Sequence, residues 1–315
     1  MDGTTPRIAV YGGINVDIQA RCASAYRAGD SNPGSVGVAA GGVGRNLAVN
    51  LAGLGARVSL VSVFGDDDEA AMLKADCAAR CVDCSRSLAV SGLPSCRYLC
   101  LLDADGTLVG AVADMDAIDR FGPDELLRLA TAGDEADAVV LDANLPADTL
   151  AAAAARWRDK PVILDPVSVA KAPRALSALP HLAMLKPNRA EAAALAGFQP
   201  GGLAEALAAA REIRKRGTGA VFVSLGPGGL AWSSPEGEGR ALPPDMPVVN
   251  VSGAGDAAGA ALAWSAALGY TAEKAAVLAI TAAALCAASP EPVRAGVSAA
   301  VLEEASKGAH SERLS

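Results

Sequence analysis

Aromatic side chains are scarce in this 315-residue chain, which has four Phe, four Tyr and three Trp. Proteins that grip single-stranded nucleic acid stack bases on such rings, and few are available here. The net charge of −8 points the same way, because a phosphate polymer is held by basic surface. Histidine is nearly absent, with only His181 and His310. A Ser-His-Asp hydrolase or a His-rich zinc site therefore has too little to be built from. No stretch holds the roughly 18 or more consecutive apolar residues of a membrane span. The start, MDGTTPRIAVYGG, shows no basic segment leading into an apolar run. The expectation is a cytoplasmic protein with neither a membrane nor a nucleic-acid partner. The seven cysteines are odd in number and read as free thiols. Cys77, Cys81 and Cys84 follow C-x3-C-x2-C, but they end a helical stretch with no companion motif, so packing accounts for them better than a metal.

What the chain does have is apolar residues, 51% against 20% charged, enough for a sizeable core. Short apolar runs alternate with helical stretches. RIAVYGG (7–13), RVSLVSVFG (57–65), DAVVLD (137–142), PVILD (161–165), LAMLKP (182–187) and AVFVSLG (220–226) read as strands. Helices are expected at 123–132, 147–158, 189–196, 202–216, 256–268, 272–288 and near 297–306. This rhythm predicts an α/β fold, a mostly parallel sheet with helices on both faces. Residues 95–113 break it, reading as two strands joined by a turn at Asp105-Gly106. Together with strand material near 14–40 they are expected to form a small β lid. One domain over 1–310 is expected, with 311–315 a tail and SKGAHSERLS frayed. Ligands of such sheets bind beyond the strand C-terminal ends. Asn15, Asp17, Asp142, Asp165, Lys186, Asn188 and Gly226 all fall there.

Residues 249–264, VNVSGAGDAAGAALAW, carry an apolar strand end into Ser252-Gly253-Ala254-Gly255-Asp256 and an Ala-rich helix. Side chains this small let backbone N–H groups converge at a helix N-terminus, where the dipole also favours an anion. Asp256, in the first turn, is placed to accept a proton from a hydroxyl attacking phosphorus. An idle glycine-rich turn with an N-terminal acid would look the same in isolation.

Two segments together resemble the ribokinase-type (PfkB) carbohydrate kinases. GGVGRNLAVNLAGLGARVSLVSVFGDD (41–67) is similar to the family's N-terminal signature, and NVSGAGD (250–256) to its C-terminal one. The resemblance spans nearly the whole chain and implies a ribokinase-like three-layer αβα sandwich with a small β-strand lid. YRAGDSNPGSVGVAAGGVGRN, LLDADGTLVGAVADMDAI, DPVSVAK and LKPNRAEAAALAG further resemble the pseudouridine kinases within it. It implies transfer from ATP to the 5′-hydroxyl of pseudouridine. Asp256 is implied as general base, and Gly253, Ala254 and Gly255 as the anion hole. Asn15, Asp17, Gly42 and Asn46 match the positions that hold the sugar hydroxyls. Asn188, Ser224, Gly226, Gly229, Gly253 and Gly255 match the ATP side, and Glu191 organises Mg²⁺ through water. Read from the residues alone, Asp17 is also a turn-capping acid and Asn46 a helix N-cap. Asn188 and Glu191 likewise form a capping box, and Lys186 is a strand-end lysine that is ordinarily exposed.

Two departures qualify this reading. Asn250-Val251 stands where many of these sugar kinases have Asp-Thr, removing a carboxylate associated with a monovalent cation and putting K⁺ activation in question. Ala113 stands where related bacterial pseudouridine kinases tend to have Asn, which bears on how the base is read. The alternatives are a kinase of another nucleoside or sugar (ribose, adenosine or fructose type) and a catalytically silent binding protein on the same fold. A homodimer clasped through the lids is expected from their open strand edges.

Overall fold

The computed structural model describes residues 5–314. The apolar run β1 (Arg7–Tyr11) ends at Gly12-Gly13, and a hairpin of β2 (Asn15–Cys22) and β3 (Gly34–Gly41) follows. Next come α1 (Val43–Gly53), β4 (Arg57–Val61), the short β5 (Val63–Phe64), α2 (Asp68–Ala79), β6 (Val82–Asp83) and β7 (Leu88–Ala89). A second hairpin, β8 (Arg97–Leu102) and β9 (Leu108–Asp114), precedes α3 (Pro123–Arg128) and α4 (Thr131–Asp134). Alternation resumes with β10 (Ala138–Asp142), α5 (Ala147–Arg156), β11 (Val162–Asp165), β12 (Met184–Leu185), α6 (Arg189–Ala196), α7 (Leu203–Arg214) and β13 (Ala220–Ser224). The chain closes with β14 (Leu230–Ser234), β15 (Gly237–Leu242), α8 (Ala254–Ala267), α9 (Ala272–Ala287), α10 (Ala299–Ser306) and β16 (His310–Leu314).

Ten strands form the main sheet, in the order β16-β15-β14-β13-β12-β11-β10-β1-β4-β6. From β13 to β6 all neighbours are parallel, and β14, β15 and β16 add an antiparallel edge. Side chains alternate between faces, and the core divides accordingly. Ile8 and Val10 pack with α1, α8 and α9 on one face, while Ala9 and Tyr11 pack with α5, α6 and α7 on the other. This is a three-layer αβα sandwich.

The two hairpins leave the main sheet and form their own, in the order β3-β2-β8-β9. Register sorts its two faces. Val38, Ile18, Leu99 and Val112 lie side by side on one, and Ala39, Asp17, Tyr98 and Ala113 on the other.

Two local expectations are corrected. The helix expected at 123–132 is broken into α3 and α4. The Tyr11 hydroxyl donates to the Leu129 carbonyl at 2.9 Å and accepts the Gly133 N–H at 3.0 Å, occupying the place of the direct i to i−4 bond. The segment expected to fray is strand β16, paired along its length with β15. An Arg240–Glu312 ion pair at 2.7 Å and a Ser311–Glu273 hydrogen bond at 2.9 Å fasten it.

Candidate active site

The cleft lies where the small sheet faces the C-terminal ends of β1, β10, β11 and β12. Gly41 and Gly42 bring its first wall together. A Cβ on Gly41 would overlap the Asp17 carboxylate, and one on Gly42 would press on the Gly13 carbonyl and Asn15 Oδ1. Only hydrogen fits there, so the turn into α1 draws against the start of β2. Asn15 is buried and its Nδ2 donates to Asp17 Oδ1 at 2.6 Å. Burial raises the Asp17 carboxyl above its ordinary range, partly opposed by that bond and by Arg45.

Asn46 lies in the first turn of α1, and its Nδ2 donates to Asp256 Oδ2 at 2.9 Å across to α8. Gly253 caps α8 in the left-handed region at φ 77, and a Cβ there would overlap the Pro292 carbonyl. The first-turn N–H groups of a helix have no intrahelical acceptor. Of these, the Ala254 N–H makes a long bond back to the Val251 carbonyl, 3.3 Å. Asp256 keeps partial access to the cleft. It is packed closely enough that burial pushes its carboxyl up to about 7, with Asp165 and Asp142 adding and Asn46 and Lys186 opposing. A carboxylate poised near neutrality beside a helix N-terminus can take a proton from an attacking hydroxyl.

Lys186 is buried rather than exposed, and its Nζ pairs with Asp165 Oδ2 at 3.0 Å. Burial alone would favour the neutral amine, but Asp165, Glu191 and Asp256 together raise its pKa. Its ammonium lies 3.6 Å from where a Gly255 Cβ would be, a fixed positive charge beside the start of α8. Asp142 is fully buried and accepts the Gly13 N–H at 2.8 Å, pinning the turn after β1. Burial pushes it up to about 6.

Asn188 and Glu191 make the capping box of α6. Asn188 Oδ1 accepts the Ala190 and Glu191 N–H groups at 2.9 Å each, and Glu191 Oε2 accepts the Asn188 N–H at 2.9 Å. Asn188 Nδ2 donates to Glu191 Oε1 at 2.7 Å. Burial and then Asp165 raise the Glu191 carboxyl. Ser224 ends β13 and bridges to Asn188, while Gly226 and Gly229 bound the short turn that follows. Cys77 is buried, Cys84 half-buried and Cys81 exposed, all three as free thiols. The described residues hold no group of three or more His, Cys, Asp or Glu placed to bind a metal, and no helix long and apolar enough to cross a membrane.

Sequence reasoning missed several groups. Arg45 is 3% exposed and binds both Asn46 and Asp76. Asn144 and Lys171 meet at 2.6 Å beside Asp142. Tyr98 lies in register with Asp17 on the same face of the small sheet. Arg45 and Lys171 stood inside quoted motifs, but nothing in those motifs marks either as buried or paired.

The pattern of the pfkB family carbohydrate kinases matches residues 5–295. The chain belongs to that family. It is therefore a phosphotransferase whose acceptor is a hydroxyl group, within the sugar and nucleoside kinases. Pseudouridine kinase of Escherichia coli K12 is 33% identical to it over 260 residues, 82% of this chain and 83% of that one. A carbohydrate kinase structure from Agrobacterium tumefaciens has a TM-score of 0.85 at 30% identity, over 98% of this chain and 100% of the other. Arabidopsis thaliana ribokinase, solved with ribose and ATP, shares the fold with a TM-score of 0.82 at 23% identity, over 96% and 99% of the two chains.

Proposed function

We propose that this kinase transfers the terminal phosphoryl group of ATP to the 5′-hydroxyl of pseudouridine, giving pseudouridine 5′-phosphate and ADP. The observation that carries the mechanism is the Asp256 carboxyl. It is held at the start of α8 by Asn46 and tuned to about 7. In this reading the ionised Asp256 takes the hydroxyl proton as the oxygen attacks phosphorus. The Gly253, Ala254 and Gly255 amides, with the Lys186 ammonium beside them, receive the charge of the moving phosphoryl group. Asn15, Asp17, Gly42 and Asn46 hold the sugar hydroxyls, since a carboxylate and an amide grip a vicinal diol through paired bonds. Asn188, Ser224, Gly226, Gly229, Gly253 and Gly255 line the ATP side.

Glu191, a buried carboxylate facing Asp165 and Lys186, suits Mg²⁺ held through water, the habit of a hard cation that keeps several waters. Mg²⁺, when bound, neutralises charge on the phosphates. K⁺ is not required in this reading. Asn250 spends its amide on the Pro290 carbonyl at 2.9 Å and the Ser252 N–H at 3.0 Å, and offers no carboxylate.

Tyr98 favours a nucleoside over a free sugar. Its ring is 38% exposed on the Asp17 face of the small sheet, with Ala113 next to it. An aromatic face beside the sugar-holding acid suits a flat base. Similarity to the E. coli pseudouridine kinase favours pseudouridine. The small Ala113 also admits a kinase of another nucleoside. Turnover with MgATP on a panel of pseudouridine, uridine, adenosine, ribose and fructose decides. Pseudouridine is expected to give the highest kcat/KM. Turnover of ribose without pseudouridine would reject the substrate, and binding without phosphoryl transfer would point to a silent protein.

A further inference from the structure

Behind Asp256 runs a line of polar side chains reaching two helices away. Asp256 Oδ2 accepts from Asn46 Nδ2 at 2.9 Å, and Asn46 Oδ1 accepts from Arg45 Nη1 at 3.0 Å. Arg45 Nε in turn donates to Asp76 Oδ2 at 3.0 Å, and Asp76 Oδ1 accepts Arg80 Nε at 3.1 Å. Arg45 and Asn46 sit on α1, Asp76 and Arg80 on or beside α2, and Asp256 on α8. We propose that Arg45 is a positioning residue: it fixes which end of the Asn46 amide faces Asp256, and so favours the ionised carboxylate. The proposal rests on the reading of Asp256 as the base.

The argument is one of donors and acceptors. A guanidinium has only donors, so only the oxygen end of the Asn46 amide can face Arg45. The amino end is then turned to Asp256, where it supports a negative charge. Without Arg45 the amide can turn over. Its oxygen then meets the carboxylate, repels the ionised form and accepts from the protonated one. Asp76 completes the device. It neutralises a guanidinium that is 3% exposed and holds it by two nitrogens against α2. Arg45 and Arg80 together draw the Asp76 carboxyl below its ordinary range despite burial.

Other charged or titratable groups bear on Asp256 from every side. Asp165 and Lys186 face it from the ends of β11 and β12, and Asp142 from β10. Glu191 on α6 faces Lys186, the Cys286 thiol on α9 faces Asp256, and Arg294 lies beyond that thiol. Asp17 and Cys77 face Arg45. The groups that act most strongly on Asp256 are retained when Arg45 is changed, and Arg45 itself is not among them, so a shift on its removal points to the amide.

The test is the side-chain amide resonance of Asn46 in ligand-free protein carrying ¹⁵N-asparagine, identified by its loss in Asn46→Ser, followed against pH. In the native protein it is expected to titrate with Asp256, and Asp256→Asn should abolish that titration. In Arg45→Met the midpoint is expected to rise by about one pH unit, with about tenfold lower kcat/KM for pseudouridine on the acidic side. Arg45→Lys, which keeps a donor, should restore the native midpoint. Asp76→Asn should lower the melting temperature and leave the midpoint in place, because Arg45 still donates. If Arg45→Met does not fold, the Arg45→Met/Asp76→Leu double variant removes the charge pair as a unit and is read the same way. A folded variant lacking Arg45 but keeping the native midpoint overturns the proposal. Full turnover by Asp256→Asn would instead reject the base assignment, while the Asn46 titration still reports on Arg45.

Discussion

Asp256 costs the folded protein stability. Its carboxyl is pushed up to about 7 chiefly by burial, against an ordinary value of 3.8. An acid whose folded pKa lies above its unfolded one leaves stability untouched below the unfolded value. It removes stability progressively as pH rises towards the folded value, and the loss is complete above it. Asp256→Asn has no charge to desolvate and can still accept from Asn46. It is expected to gain on the order of 1–3 kcal/mol at pH 8 and little at pH 4, with partial solvent access favouring the lower end. Thermal melts at the two pH values check this, and equal melting shifts would refute it. The same substitution is expected to lower kcat by about 10²–10⁴-fold. In the native enzyme kcat/KM should fall as pH drops through about 7, where Asp256 gains its proton. At this scale the motif told much: a helix start marked Asp256, and the family resemblance marked Asn46, which stands in the first turn of α1 rather than at its N-cap, Gly42. It told nothing of Arg45, Asp76 or the burial of Lys186, because each of these depends on a partner far along the chain.

The element that matters most is the first turn of α8. Gly253 enters it at φ 77 with the Pro292 carbonyl where a Cβ would go. Gly253→Ala must meet a left-handed backbone penalty of about 1–2 kcal/mol and displace that carbonyl. It is expected to lower the melting temperature and turnover together, with KM for ATP raised. A variant with native turnover would show that the turn tolerates a side chain and that its amides are not positioned by Gly253. Helix α6 shows the other side of local logic. Asn188 and Glu191 read as a capping box from spacing alone, and four hydrogen bonds build it. By contrast, the break between α3 and α4 comes from the Tyr11 hydroxyl, and β16 exists because β15 offers an open edge. Neither cause lies in the segment it shapes.

At the scale of the whole molecule, the small sheet presents one row of Val38, Ile18, Leu99 and Val112 away from the cleft, with Val38 61% and Val112 67% exposed. Apolar rows of this kind seek cover, and β3 and β9 are open edges. A second copy of the chain, meeting face to face, fits a surface that is apolar on both partners. Light scattering is expected to give a dimer, and Val38→Glu a monomer; a monomeric native protein would remove the idea. The opposite face carries Asp17 and Tyr98 side by side. Hydrogen exchange in residues 95–113 should slow when nucleotide and nucleoside are both bound, since the attacking hydroxyl competes with water. Equal exchange with and without them would argue against closure.

The order of strands and helices, the two glycine motifs and the acid at the head of α8 followed from the chain alone. All are set by spacing of three or four residues or by alternation of two, and such short periods survive in a linear string. The tertiary structure alone decided that Lys186 is buried on Asp165, that the Arg45 guanidinium meets the oxygen end of the Asn46 amide, and that Tyr98 shares a sheet face with Asp17. Those facts arise where distant segments remove each other from water. A charge's partner and its exposure are then set by whatever the fold brings alongside.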